Sequence, residues 1–201
     1  MSFWGNTRRP EGSSGKLMVA LMNLCHSPVA NWGLQFLKLA PDASVLDCGC
    51  GGGMNIRRLL KMCPEGRISG IDYSPVSVEK SKSVNQEAIA EGCCEVVQGS
   101  VAAMSFADES FDAVTAFETV YFWPDLEKCF REVNRVLKKG GTFFICNESN
   151  GDSDKDDKWT KIIEGMKIYK DTDLRQYLRQ AGFHHIHVYK TKSWLCLTAQ
   201  K

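Results

Sequence analysis

Residues 45–53 read Val-Leu-Asp-Cys-Gly-Cys-Gly-Gly-Gly, an apolar run that ends on an acid and empties into glycines. No other stretch constrains the fold as tightly. A short apolar run reads as a buried strand, and the glycines allow a sharp turn that residues with side chains resist. Residues 55–62 then place Ile56, Leu59 and Leu60 on one helical face. Strand, turn and helix in that order form the first half of a crossover unit. A second acid, Asp72, closes the next apolar run. An acid roughly 20 residues beyond a nucleotide-binding glycine loop can accept both hydrogen bonds of a ribose diol, so the ligand of this loop should contain a ribose.

The alternation continues. Residues 67–73 predict a second strand, and Ser74 with Pro75 supplies an N-cap and a preset first residue for a helix to about Glu91, which Gly92 ends. Residues 95–98 and 112–117 read as strands three and four. Residues 126–138 read as a helix with Phe130, Val133, Val136 and Leu137 on one face, closed by Gly140 and Gly141. Strand five is expected at 142–146, a solvated charged loop at 150–158 and a short helix at 159–166. Asp171, Thr172 and Asp173 offer caps for a helix that Gly182 closes. His185, His187 and Tyr189 alternate with Ile186 and Val188, and residues 194–198 provide the returning strand of a hairpin. The expectation is a single domain over 1–201. Its core, residues 41–201, is an α/β, doubly wound, mostly parallel seven-stranded sheet with an antiparallel C-terminal hairpin strand. Residues 1–40 form a helical arm or lid, with helices at 16–23 and 29–39.

With 25 basic and 24 acidic side chains, the formal charge is +1. That balance provides no field for phosphate backbones or anionic lipid, and no run approaches the roughly 20 apolar residues of a membrane span. Neither nucleic acid nor membrane is expected as a partner, and the reading places the chain in the cytoplasm. The nine cysteines are odd in number and lack a Cys-x-x-Cys pair, which favours reduced, buried thiols over disulfides or a metal cluster. Among His184, His185 and His187 only the last two share a strand face, and no third ligand is evident. No metal is expected.

Dinucleotide binding competes for the same loop. Its Gly-x-Gly-x-x-Gly spacing from Gly49 requires glycine where Met54 stands, and Asp47 immediately before the loop would repel a pyrophosphate. A cationic ligand fits better. Residues 45–53 resemble the first motif of the class I S-adenosylmethionine-dependent methyltransferases. Residues 104–114, Met-Ser-Phe-Ala-Asp-Glu-Ser-Phe-Asp-Ala-Val, are similar to the segment leading into that family's fourth strand. Residues 131–141, Arg-Glu-Val-Asn-Arg-Val-Leu-Lys-Lys-Gly-Gly, resemble the helix and turn before its fifth.

The resemblance implies S-adenosyl-L-methionine as cofactor and S-adenosyl-L-homocysteine as product. It places Asp47, Gly49, Cys50 and Gly51 along the methionine part, chiefly through backbone, and Asp72 on the ribose. It puts Tyr73 against adenine and Ser100 with Val101 at the adenine edge. Ser100 stands where many members carry an acid. Phe117 and Glu118 end strand four beside the expected position of the transferred methyl. Direct displacement from a sulfonium needs no nucleophilic side chain, so Glu118 or His26 enters as a general base for an acceptor that must lose a proton. Glu118, Tyr121 and Trp123 are the candidate acceptor contacts. The family's Asn-or-Asp-Pro-Pro-Tyr signature for planar nitrogens is replaced by Phe117-Glu-Thr-Val-Tyr-Phe-Trp-Pro124, which disfavours nucleobases and glutamine and points to a small-molecule acceptor. The competing functions are a non-catalytic S-adenosylmethionine-binding module and an NAD(P)-dependent oxidoreductase; the acceptor atom and the oligomeric state stay open.

Overall fold

A computed structural model describes residues 25–201. The expected helix at 16–23 and most of the expected arm or lid lie outside the described residues. The chain enters through helix α1 (Ser27–Gly33), with Pro28 in its first turn, and a 3-10 turn at Leu34–Phe36. The expected helix at 29–39 is therefore shorter and starts earlier. Ser27 and Pro28 belong to α1, because proline fits the first turn of a helix, where its missing N–H costs nothing.

Seven strands form one sheet: β1 (Ser44–Cys48), β2 (Arg67–Asp72), β3 (Cys94–Gln98), β4 (Phe111–Phe117), β5 (Leu137–Asn147), β6 (His184–Thr191) and β7 (Trp194–Gln200). Their order is β3-β2-β1-β4-β5-β7-β6. The pairs from β3 through β5 are parallel, while β7 runs antiparallel to both neighbours. The expected hairpin is present, but its second strand inserts beside β5 and leaves β6 at the edge. Strand order reverses between β1 and β4, and in an open parallel sheet the crevice at the carboxyl ends of such strands is where a ligand fits.

Helices cover both faces. On one lie α1, α2 (Met54–Met62) and α3 (Pro75–Val84), packed around Val45, Ile56, Leu59, Ile68 and Phe144. On the other lie α5 (Leu126–Val136) and α7 (Asp171–Gln180), around Leu46, Val114, Phe130, Val133, Phe143 and Leu174. The near-continuous burial of β1, β2 and β4 follows from being covered on both sides.

Several boundaries differ from expectation, each for a physical reason. The single helix expected from Ser74 to Glu91 breaks at Asn85 into α3 and α4 (Gln86–Ala90). The Asn85 amide donates to the carbonyls of Gly53 at 3.1 Å and Ser81 at 2.9 Å, so the break ties α3 to the glycine loop. Helix α5 stops at Val136, and Gly140 with Gly141 lies inside β5, because Leu137 already pairs with Phe111. Gly140 takes φ +76°, and the pair exchanges backbone hydrogen bonds with Lys201. Helix α6 (Asp154–Ile162) occupies much of the expected charged loop. Helix α7 begins at Asp171 with no side-chain cap: Asp171 and Asp173 sit inside its first turn, favourable for acids at a helix N-terminus. Ser74 does cap α3, accepting from the Ser77 amide at 3.4 Å.

Candidate active site

At the carboxyl ends of β1, β2 and β4 the surface folds inward around a cavity of about 400 Å³. Its floor is the glycine loop. The Gly49 and Cys50 amides both donate to the Ile71 carbonyl, at 2.8 and 3.1 Å, which pulls the loop across the end of β2. Gly49, Gly51 and Gly53 take φ of +74°, +51° and +82°, values that glycine adopts without the Cβ penalty. A Cβ on Gly51 would meet nothing within 4 Å of protein, so it would project into space that a ligand can use.

Asp72 is fixed at the rim of that loop. Its two carboxylate oxygens accept from the Gly51 amide at 3.0 Å and the Ser74 amide at 2.9 Å, leaving lone pairs for further donors. Burial raises its pKa against these two bonds. Asp47 lies deeper. It is 1% exposed and stands beneath the cavity wall, not on it, a difference from its expected place along the ligand. Thr115 donates to its Oδ1 at 2.8 Å, while Oδ2 is buried without a partner. Desolvation raises the Asp47 carboxyl to about 7, with a smaller contribution from Asp72.

The remaining expected ligand contacts, Gly49, Cys50, Gly51, Tyr73, Ser100, Val101 and Phe117, all lie on the cavity wall. Tyr73 is 40% exposed, the open flank expected of a side chain that a ring could stack on. Arg58 adds a permanent positive charge to the wall. It donates to Asn31 at 3.0 Å, Asn55 at 2.9 Å and Ser27 at 2.7 Å, all neutral groups, so among the described residues its charge is not paired.

The opposite end is apolar with two titratable groups. Val29, Ala30, Phe122, Trp123 and Pro124 line it together with His26 and Glu118. Glu118 leaves β4 in the left-handed region, φ +57°, and its carboxylate accepts from the Glu148 amide. Non-glycine residues are held there only when the surroundings over-determine them, and such strain clusters at functional sites. Burial, then the Glu148 charge, pushes the Glu118 carboxyl well above the usual range, while burial lowers His26. Trp123 lies against Phe130 and Phe143 and donates to Thr119 at 3.2 Å, presenting one edge to the cavity. Tyr121 departs from expectation. It stands behind the wall, with its hydroxyl accepting from the Ser149 amide and donating to the Ser149 carbonyl. Glu148, 4.0 Å from His26, has no motif to mark it; it joins the site because β5 pairs in parallel with β4. Among the described residues the three hairpin histidines do not form a ligating trio: a register shift between His184 and His187 and φ +45° at His185 break their alternation and bring the His184 and His185 rings to 4.6 Å instead.

Comparison with known proteins is decisive for the family. Residues 46–145 match the model of a methyltransferase domain. The chain belongs to the class I S-adenosylmethionine-dependent methyltransferases. A cycloartenol-C-24-methyltransferase of Oryza sativa is 34% identical over 54% of this chain and 31% of its own length. An Arabidopsis thaliana cycloartenol-C-24-methyltransferase is 30% identical over 75% of this chain and 47% of its own. A botryococcene C-methyltransferase of Botryococcus braunii is 38% identical over 54% and 28%. The chain therefore spans less than half the length of these relatives. The fold agrees: the methyltransferase solved with the Haloferax volcanii Trm112 activator superposes with a TM-score of 0.80 at 21% identity, covering 91% of this chain and 93% of that one. The methyltransferase domain thus places its glycine loop, Asp72 and the end of β4 around one cavity.

Proposed function

We propose that this chain transfers the methyl group of S-adenosyl-L-methionine to a small-molecule acceptor with an apolar body. The observation that carries the reading is the glycine loop bonded to Asp72 at the floor of the cavity. The residues present fit the cofactor: Asp72 keeps acceptor capacity for ribose hydroxyls, Gly51 leaves open space, and the orphaned Asp47 Oδ2 supplies negative character beneath the loop for a cationic ligand. Arg58 supplies the opposite sign for a carboxylate on the same wall. When bound, the cofactor contributes an activated methyl on a positively charged sulfur.

The protein's own task is then to bind, orient and exclude water. Phe117 and Trp123 restrict the space at the end of β4, and Phe122 and Pro124 extend an apolar rim over it. Glu118 and His26 are placed to take a proton from an acceptor that must lose one; burial lowers the His26 pKa, which favours the neutral imidazole that can accept it. The relatives named for cycloartenol and botryococcene agree with an apolar acceptor, and so does the rim. Calorimetric titration with S-adenosylmethionine, S-adenosylhomocysteine and NAD(H) tests the cofactor half of the reading. Binding of the first two alone supports it, whereas NAD(H) binding in their place overturns it. Labelled-methyl transfer to a panel of apolar alcohols, amines and alkenes tests the rest. Tight cofactor binding with no transfer to any acceptor would favour a module that only holds the cofactor.

A further inference from the structure

Three ligating side chains converge where β4 and β5 end. His26 precedes α1, Glu118 follows β4 and Glu148 follows β5. One donor atom from each, an imidazole nitrogen and two carboxylate oxygens, lies within 4.8 Å of the others. Among the described residues no other trio of histidine, cysteine, aspartate or glutamate comes together in this way. None of the three is fully exposed, and His26 and Glu118 stand on the cavity wall. Arg58, the permanent cation of that wall, donates to Asn31, Asn55 and Ser27 and forms no ion pair with either carboxylate among the described residues. Neither carboxylate has a lysine or arginine partner among the described residues; Glu118 is held by the Glu148 amide and Glu148 faces His26.

We propose that His26, Glu118 and Glu148 bind a divalent transition-metal cation, with Mn²⁺ the representative, at the acceptor end of the cavity. The donor set argues for that class: one imidazole with two carboxylates suits Mn²⁺, Fe²⁺ or Zn²⁺, whereas Mg²⁺ and Ca²⁺ take oxygen ligands. Ligand bonds of about 2.0–2.2 Å place two donors on one ion at most about 4.4 Å apart, so small side-chain rotations close the present separation. Glu118 and Glu148 follow two strands paired in register, and α1, tied to β5 where Cys146 donates to the Val29 carbonyl, carries His26 beside them, which pre-organises the site. Three protein ligands leave positions open toward the cavity. Resting on the methyl-transfer reading, the inference extends it to an acceptor that ligates the ion through oxygen. With Glu118 and His26 ligating the ion, they no longer act as the proton acceptors, and a coordinated hydroxyl releases its proton to solvent more readily. Its oxygen lone pair then forms the new bond to the methyl, and the electron pair of the broken sulfur–carbon bond returns to sulfur.

The probe is Mn²⁺ itself, added to the chelator-treated full chain and followed by loss of the free-ion signal in electron paramagnetic resonance. Mn²⁺ avoids the thiols that would bind Zn²⁺. The expected result is one ion per chain, with affinity reduced at least about tenfold in both His26→Asn and Glu148→Gln. Circular dichroism and S-adenosylhomocysteine titration confirm that the variants are folded. No binding by the folded parent overturns the proposal, as does binding that both variants retain. Cofactor affinity measured on the metal-free parent separates the two readings: S-adenosylhomocysteine bound without any Mn²⁺ site sinks the metal and leaves the cofactor assignment standing.

Discussion

Gly49 and Gly51 lie two positions apart in one loop, both left-handed, yet a methyl group added to each meets different surroundings. At Gly49 a Cβ would stand 2.1 Å from the Thr119 hydroxyl oxygen, so Gly49→Ala combines backbone strain with overpacking and should cost about 2–4 kcal/mol in a urea titration. At Gly51 only the strain remains, about 1–2 kcal/mol, because nothing of the protein lies within 4 Å. Gly51→Ala should therefore stay folded while losing S-adenosylhomocysteine affinity, since its Cβ enters the ligand's space. Retained affinity in that variant would remove the loop from the binding site. Asp47 carries a pH prediction. Its folded pKa of about 7 exceeds the value of 3.8 expected when unfolded, so the folded state holds the proton longer. Its contribution to stability is complete below about pH 4, falls between about pH 4 and 7, and is level above. Asp47→Asn deletes that slope: the stability difference between variant and parent should move in the variant's favour by on the order of 2 kcal/mol from pH 5 to pH 8. Denaturant midpoints at the two pH values check it, and parallel curves would mean that Asp47 titrates in its ordinary range.

At the scale of elements, α1 is seated by contact so close that only glycine fits. A Cβ on Gly33 would lie 2.4 Å from the Cys146 sulfur and 3.1 Å from the Phe144 ring. Gly33→Ala should lift α1 from β5 and destabilise by about 1–3 kcal/mol, with much of that loss recovered in Gly33→Ala/Cys146→Ala, where the obstructing sulfur is gone. A double-mutant cycle measures the coupling; additive losses would refute this account. Such a contact explains what could be read from sequence and what could not. The strand, glycine turn and helix around Asp47 were legible because local chemistry alone dictates them. So were the Ser74 cap and the Gly182 stop. The break at Asn85 was not, because its cause is a hydrogen bond to Gly53, distant in sequence. Nor was the early start of β5, which depends on Phe111 pairing with Leu137. In the site the same division holds. Asp72 and the loop announce themselves in one segment, whereas Glu148 joins Glu118 and His26 only through the pairing of β4 with β5, and Tyr121, aromatic and well placed in sequence, turns its hydroxyl toward Ser149.

For the whole molecule, the reversal of strand order between β1 and β4 concentrates binding groups from distant segments in one crevice, so occupancy of that crevice couples to global unfolding. A ligand that binds only the folded state, present at a hundredfold over its dissociation constant, adds about 2.7 kcal/mol. For a chain of this size each kcal/mol moves the melting midpoint by roughly 2–4 °C. Saturating S-adenosylhomocysteine should thus raise the midpoint by roughly 5–10 °C, and NAD(H) at the same concentration should leave it unchanged. Asp72→Ala loses the charge-assisted contact to the ribose, about 1.5–3 kcal/mol of binding, and with it the Gly51 and Ser74 amide bonds that shape the loop. Its unliganded midpoint should fall modestly, and its shift at the parent's saturating concentration should largely vanish. A full shift in Asp72→Ala would move the ribose elsewhere in the cavity, and no shift in a folded parent would mean that this crevice does not take the cofactor.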